Sequence, residues 1–102
     1  MGFLSRKTEP DSKNKQSKEL TIVNRLGLHA RPSAMFVKTA GKFRAEIWVE
    51  KDGERINGKS IMGLMMLAAG QGSKLLVTAE GADADKALVE LEAIVLRKFD
   101  ED

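Results

Sequence analysis

The chain has no cysteine, no tyrosine and a single histidine among its 102 residues. The absence of cysteine excludes disulfide scaffolds, thiol catalysis and cysteine-based zinc sites. A single imidazole also excludes a metal site built on two or three histidines. The residue counts do not exclude a Mg²⁺ or Ca²⁺ site with oxygen ligands alone. No apolar run approaches the roughly 18 residues of a membrane span. We therefore expect no membrane insertion.

The positive charge is concentrated near the N-terminus. Residues 1–18 hold five basic and two acidic side chains, whereas residues 19–102 hold twelve and thirteen. Residues 1–18 also have few apolar groups, so we predict a disordered basic extension, followed by one folded domain over residues 19–102. A solvated tail is the first interpretation of the extension, and contact with nucleic acid or anionic lipid is the weaker alternative. No apolar segment typical of a secretion signal follows the basic start, which predicts a cytoplasmic protein.

Strands and helices alternate in the folded part without an internal repeat. Alternation of period two predicts a strand over residues 44–50, and Asp52-Gly53 predicts a tight hairpin turn after it. Asp83 is expected to cap the last helix with its side chain, and residues 100–102 are expected to be frayed. The other predicted elements are a strand ending at Val23, helices over residues 30–40 and 60–69, strands over residues 54–57 and 74–79, and a helix after Asp83.

Two helices have apolar residues at helical spacing, which predicts their buried faces. In the first helix these are Ala30, Ala34, Val37 and Ala40. In the last they are Ala84, Ala87, Leu88, Leu91, Ile94 and Val95.

The order β-α-β-β-α-β-α predicts an α+β fold with two layers. So small a sheet cannot bury three helices inside it, so they should lie on one face of a four-stranded, largely antiparallel sheet. Trp48 would then point to the open face of the sheet, partly solvated or covered by the N-terminal extension.

The segment from Leu26 to Ser33 is the strongest candidate for chemistry. His29 stands at the entrance of a helix, where unpaired backbone N–H groups and a partial positive charge favour an anion and disfavour protonation of the ring. A neutral imidazole keeps a lone pair for nucleophilic attack. Arg31 adds a permanent cation that can hold phosphoryl oxygens. On the residues alone, His29 is either a phosphohistidine site or an ordinary helix cap.

The string LGLHARPSAMFV at residues 26–37, with NGKSIMGLMMLAAGQGSKLLVTAEGADADKAL at residues 57–88, resembles the HPr family. Its members are the histidine-containing phosphocarriers of the bacterial phosphoenolpyruvate-dependent phosphotransferase system. The resemblance covers residues 19 to about 98. It implies an open-faced β-sandwich, in agreement with the element order deduced above.

The resemblance also implies roles for individual residues. His29 would accept a phosphoryl group at Nδ1 from phosphorylated enzyme I and pass it to enzyme IIA domains, while Arg31 stabilises the charge. Such a carrier needs no metal or other cofactor, since its partners supply the remaining groups. Ser60, followed by Ile-Met-Gly, would be the regulatory target of HPr kinase/phosphorylase, although a plain N-cap serine is the simpler interpretation. We expect a monomer.

The short helix after Ser60 is more apolar than one buried stripe requires. The resemblance puts partner contacts at its exposed residues and around the histidine: Leu28, Ala30, Ile61, Met62 and Met65. The alternative is that all the apolar residues of the short helix belong to the core.

Two other functional interpretations stay open. The first is a regulatory protein of the nitrogen-related or catabolite-control branch, which acts by binding partners according to its phosphorylation state; the catabolite-control paralogue lacks the active histidine, whereas His29 is present. The second is a small nucleic-acid module, but the folded part carries slightly more acidic than basic side chains and has no tyrosine for stacking. We therefore expect no nucleic-acid partner.

Overall fold

A computed structural model describes residues 14–101 of the chain. Within these residues it contains four strands, three α-helices and a short turn of 3₁₀ type. No helix among them is long and apolar enough to cross a membrane. The elements, in chain order, are β1 (Lys15–Thr21), α1 (Ala30–Ala40), β2 (Glu46–Lys51), β3 (Glu54–Asn57), α2 (Ile61–Met66), β4 (Lys74–Glu80), α3 (Ala84–Leu96) and the turn Lys98–Asp100.

The strands form one antiparallel sheet in the order β1-β4-β2-β3. Apolar residues on alternate positions face the helices, and the register aligns Val77, Val49 and Ile56 in one row across three strands. The helices cover this face, and the opposite face is open, as an α+β sandwich of two layers requires. The predicted fold class is confirmed.

The first strand begins earlier than the sequence suggested. Lys15 to Lys18 pair with residues of β4, from Glu80 to Val77. Residues 15–18, which were expected to belong to the disordered extension, are therefore part of the sheet. The rest of that predicted extension, residues 1–13, lies outside the described residues.

The helices lie where the sequence predicts them, except that α2 ends at Met66 and not at residue 69. One buried face also differs. In α3 the buried side chains are the six predicted ones. In α1 only part of the predicted face is buried. Ala40 lies in the core, but Ala30 and Ala34 are exposed. The core side of the helix is centred on Phe36. Phe36 buries far more apolar surface than an alanine, so it determines which side of α1 turns inward.

Asp83 takes the N-cap position of α3, but its side chain does not cap that helix. Its carboxylate instead accepts the backbone N–H groups of Arg44 and Ala45, each at 2.9 Å, from the loop before β2. Asp52 and Gly53 both have positive φ, as the predicted tight hairpin requires. On the open face Trp48 is partly exposed, and the Arg55 guanidinium lies 4.4 Å from its ring centre.

Candidate functional site

His29 occupies the N-cap position of α1 in an extended conformation, with φ −79° and ψ −167°. Its carbonyl accepts the N–H of Ser33 at 3.0 Å, which starts the helix. Its ring makes no capping hydrogen bond, and the side chain is 39% exposed. The imidazole therefore lies beside the uncapped start of a helix, where it is accessible to an incoming group.

The loop before His29 is held by one hydrogen bond to the segment after α2 and one to α1. The N–H of Leu28 donates to the carbonyl of Ala69 at 2.9 Å, and the hydroxyl of Ser33 donates to the carbonyl of Leu28 at 3.2 Å. Leu28 itself is only 5% exposed and belongs to the core. Ala30, by contrast, is exposed. Partner contact at Leu28 and Ala30 stays a prediction.

Nε2 of the His29 ring lies 3.0 Å from Oε1 of Glu101. The same carboxylate oxygen accepts a hydrogen bond of 3.0 Å from the amide of Asn24. That amide also donates to the carbonyl of Gly27 at 2.9 Å, and Asn24 is fully buried. Residues 100–102 were expected to fray, but Glu101 is held at the site. Asp102 lies outside the described residues.

The environment of Glu101 favours its ionised form. The hydrogen bond from His29 is the main cause that lowers the pKa of this carboxyl. The hydrogen bond from Asn24 and the charge of Arg31 also lower this pKa, while burial of the carboxyl raises it. An ionised carboxylate only accepts hydrogen bonds, so Nε2 of His29 is the donor. In the neutral ring this leaves a lone pair on Nδ1.

Arg31 stands in the first turn of α1 with an exposed side chain. Its charge acts on Glu101, so it belongs to the electrostatic surroundings of the histidine. Among residues 14–101, no three histidine, cysteine, aspartate or glutamate side chains come together as a metal site would require.

Ser60 is the N-cap residue of α2. Its hydroxyl oxygen accepts the N–H of Gly63 at 3.0 Å, and the side chain is partly exposed. The predicted capping role is confirmed.

A group of exposed apolar side chains lies on α2, and we call Ile61, Met62, Met65 and Met66 the methionine surface. Met62 is 75% exposed, so the alternative that all these residues belong to the core is wrong. The sequence did not single out Met66 as exposed, nor Leu26 in the loop before α1. That loop is bonded to the segment after α2 through the N–H of Leu28 and the carbonyl of Ala69.

Sequence reasoning also missed two residues of the histidine site, Asn24 and Glu101. Asn24 resembles an ordinary loop residue, and no local pattern marks it. Phe99 was an available signal for Glu101, since a large apolar residue close to a terminus indicates that the terminus packs on the core. Phe99 is indeed buried.

The fold and the site together define a class: a small open-faced β-sandwich with a single accessible histidine at the N-terminal end of a helix. Comparison with known proteins agrees, since a family model described as the phosphotransferase-system HPr component phosphorylation site matches residues 16–96. The chain belongs to the HPr family, the phosphocarriers of the bacterial phosphotransferase system.

Individual relatives cover nearly the whole domain. The phosphocarrier protein HPr of Neisseria meningitidis is 49% identical over 87 residues, which are 85% of this chain and 96% of that protein. A crystal structure of HPr from Thermoanaerobacter tengcongensis superposes with a TM-score of 0.82 at 46% identity and covers 85% of this chain and 98% of that one. The Crh protein of Bacillus subtilis, described as an intertwined dimer with a swapped domain, has 44% identity and a TM-score of 0.66 over 72% of this chain and 85% of that one.

Proposed function

We propose that the chain is a phosphoryl carrier in which His29 accepts a phosphoryl group at Nδ1 from phosphorylated enzyme I and passes it to an enzyme IIA domain. The observation that carries this proposal is the state of the ring: Nε2 is engaged by Glu101, while the ring makes no cap to its own helix. Nδ1 is thus the nitrogen with an available lone pair.

The start of α1 supplies the surroundings that an anion needs. Its first N–H groups lack partners within the helix, and its dipole favours negative charge. Arg31 adds an exposed cation at the same end of the helix, where it stabilises the phosphoryl oxygens during transfer. No metal or other cofactor of the carrier itself takes part.

Ser60 is the proposed regulatory site, phosphorylated by HPr kinase/phosphorylase. Its partly exposed hydroxyl lies next to the methionine surface, which is the proposed docking surface for enzyme I and the IIA domains together with Ala30. A phosphate at Ser60 places a double negative charge beside apolar side chains, which weakens docking of a partner there. Methionine suits such a surface because its flexible side chain adapts to different partners.

The second candidate function is regulation by partner binding alone, in the nitrogen-related or catabolite-control branch. The similarity to Crh favours it, whereas the accessible His29 favours the carrier. We propose a cytoplasmic monomer, although the Crh structure shows that a relative forms a dimer. Sedimentation of the full chain at several concentrations tests the monomer.

The test is intact mass after incubation with phosphoenolpyruvate, Mg²⁺ and a bacterial enzyme I. The carrier gains one phosphoryl group that brief acid treatment removes, and His29→Ala abolishes the gain. Ser60→Ala is the matched control and keeps it. A wild-type chain that gains nothing, but is modified at Ser60 by a kinase and ATP, is a regulator instead of a carrier.

A further inference from the structure

The segment that follows α3 has an unusual backbone conformation. Lys98, Phe99 and Asp100 have φ values of 60°, 54° and 58°, in the left-handed region that residues with a side chain rarely adopt. Three such residues in succession persist only where the surrounding structure holds them. We call residues 97–101 the C-terminal latch.

Contacts with the core and within the segment hold the latch in place. Phe99 is 1% exposed and packs in the main core, and the Arg97 guanidinium lies 3.0 Å from the Asp100 carboxylate. The N–H of Glu101 donates to the carbonyl of Lys98 at 3.0 Å, which completes the turn. The latch is therefore an ordered structure whose last described residue is Glu101.

The latch places one carboxylate between two donors. Oε1 of Glu101 accepts from the buried amide of Asn24 and from Nε2 of His29, each at 3.0 Å, and the Glu101 side chain is only 18% exposed. Asn24 is itself anchored to the carbonyl of Gly27. The carboxylate is thus oriented independently of the histidine, which is what a group that positions a ring requires.

We propose that Glu101 is a positioning residue for phosphoryl transfer at His29. The C-terminal latch holds its carboxylate next to Nε2 of the ring. The inference rests on the proposed function, because it assigns a role in that same reaction. Glu101 fixes the ring orientation and keeps the proton on Nε2, so that Nδ1 presents its lone pair to the phosphorus atom.

The charge that develops on the His29 ring during the step gives the carboxylate a second role. The Nδ1 lone pair forms the new N–P bond, while the N–P bond of the phosphorylated donor histidine breaks and its electron pair returns to the donor ring. Since Nε2 keeps its proton, positive charge develops on the His29 ring during this step. An adjacent carboxylate stabilises that charge, as the aspartate of a catalytic triad does for its histidine.

The first test observes the hydrogen bond without any partner. Because the chain has one histidine, ¹⁵N labelling of histidine gives unambiguous ring signals. At about pH 8.5, well above the ordinary imidazole pKa, the wild type should show a Nε2–H signal protected from solvent exchange. Glu101→Ala should lose that protection. Glu90→Gln, which removes a carboxylate charge on the exposed side of α3, should retain it.

The second test measures phosphoryl acceptance from phosphorylated enzyme I by the full chain. We expect Glu101→Ala to be roughly tenfold slower at saturating enzyme I, the size that a partly exposed charged hydrogen bond supports. Glu101→Gln should be intermediate, since its amide oxygen still accepts from Nε2 but carries no charge. The half-saturating concentration and the unfolding temperature should stay near those of the wild type.

The outcomes separate the two proposals. If the wild type accepts a phosphoryl group and Glu101→Ala accepts it at the same rate, or keeps its protected Nε2–H signal, the role of Glu101 is overturned while the carrier function stands. If the wild type accepts none, the carrier function fails, and the transfer role of Glu101 fails with it.

Discussion

Asp83 ties the start of α3 to Ala45, the residue before β2, through a hydrogen bond of 2.9 Å from the backbone N–H of Ala45 to the carboxylate. The other carboxylate oxygen accepts the N–H of Arg44 at the same distance. These bonds, that of Arg44 foremost, lower the pKa of Asp83 below its ordinary value of 3.8, against the opposing effect of burial. The Asp83 side chain thus accepts two backbone N–H groups of the loop before β2 that no neighbouring strand bonds.

The first prediction concerns stability and pH. A carboxyl whose pKa is lower in the folded state stabilises the fold above its unfolded pKa, and this contribution is lost as pH falls through the folded value. We therefore expect Asp83→Asn to reduce the free energy of unfolding by about 1 kcal/mol at pH 7, after allowance for solvent screening. The difference from the wild type should shrink below about pH 4.

Urea denaturation at both pH values checks this, with Asp52→Asn as the control, since Asp52 is 83% exposed and pairs with its neighbour Lys51. A deficit of equal size at neutral and acid pH would mean that the Asp83 charge is not responsible.

The second prediction compares two glycines with positive φ. Gly27 has φ +73°, and a Cβ added there would lie 2.4 Å from the carbonyl oxygen of Ala69. Gly72 has φ +90°, but an added Cβ would meet nothing within 4 Å. Gly72→Ala should cost about 1 kcal/mol from backbone strain, and Gly27→Ala about 1–3 kcal/mol more from the clash.

Because Gly27 precedes the histidine by two residues, Gly27→Ala should also slow phosphorylation of His29, whereas Gly72→Ala should not. Thermal unfolding and the phosphorylation rate are the two measurements. Equal losses of stability in both variants would show that the loop relaxes away from Ala69.

Local patterns predicted most of the fold, because periodicity and turn residues act over a few positions. The six buried positions of α3 followed from their spacing, and the Asp52-Gly53 turn from its conformational preference. The face of α1 followed only in part, since its alanines fit helical spacing equally well whether buried or exposed. Only the size of Phe36 distinguishes the two sides.

The histidine site was predicted in part, for a different reason. His29 and Arg31 lie within one short motif, but Glu101 is separated from His29 by 72 positions in the sequence. Its contact depends on a left-handed turn formed by a lysine, a phenylalanine and an aspartate, none of which marks such a turn as glycine would. The tertiary packing of Phe99 on the core brings Glu101 to the histidine, and the sequence indicates it only through this large apolar residue.

The third prediction concerns Arg31. Its side chain is exposed and has no place in the core, so Arg31→Ala should leave the unfolding temperature within about 2 °C of the wild type. Phosphoryl acceptance should fall roughly tenfold or more, since a cation that neutralises transferred oxygens is lost. Arg44→Ala, another exposed arginine, is the control for net charge. Loss of stability in proportion to loss of rate would contradict this role.

The fourth prediction separates the two roles of Ser60. Ser60→Ala removes the acceptor for the Gly63 N–H and should cost about 1 kcal/mol of stability while transfer from enzyme I continues. Ser60→Asp keeps an acceptor at the N-cap and should retain stability, but its charge beside the methionine surface should weaken docking. Urea denaturation and the concentration dependence of transfer give the two readouts. Slow transfer in Ser60→Ala, or normal transfer in Ser60→Asp, would contradict the proposed regulation.

The last prediction tests the methionine surface with a matched apolar residue elsewhere. Met62 on α2 is 75% exposed and Val89 on α3 is 67% exposed, so neither side chain contributes much to the core. Aspartate at either position should change the free energy of unfolding by less than about 0.5 kcal/mol. The same charge should differ sharply in its effect on docking, because a partner that covers Met62 must desolvate the new carboxylate.

We therefore expect Met62→Asp to raise the half-saturating concentration of enzyme I roughly tenfold or more, and Val89→Asp to leave it unchanged. Titration of transfer rate against enzyme I concentration measures both. If the two variants weaken docking equally, the loss comes from the added negative charge as such, and α2 is not the surface that enzyme I covers. If only Val89→Asp weakens it, the docking surface lies on α3.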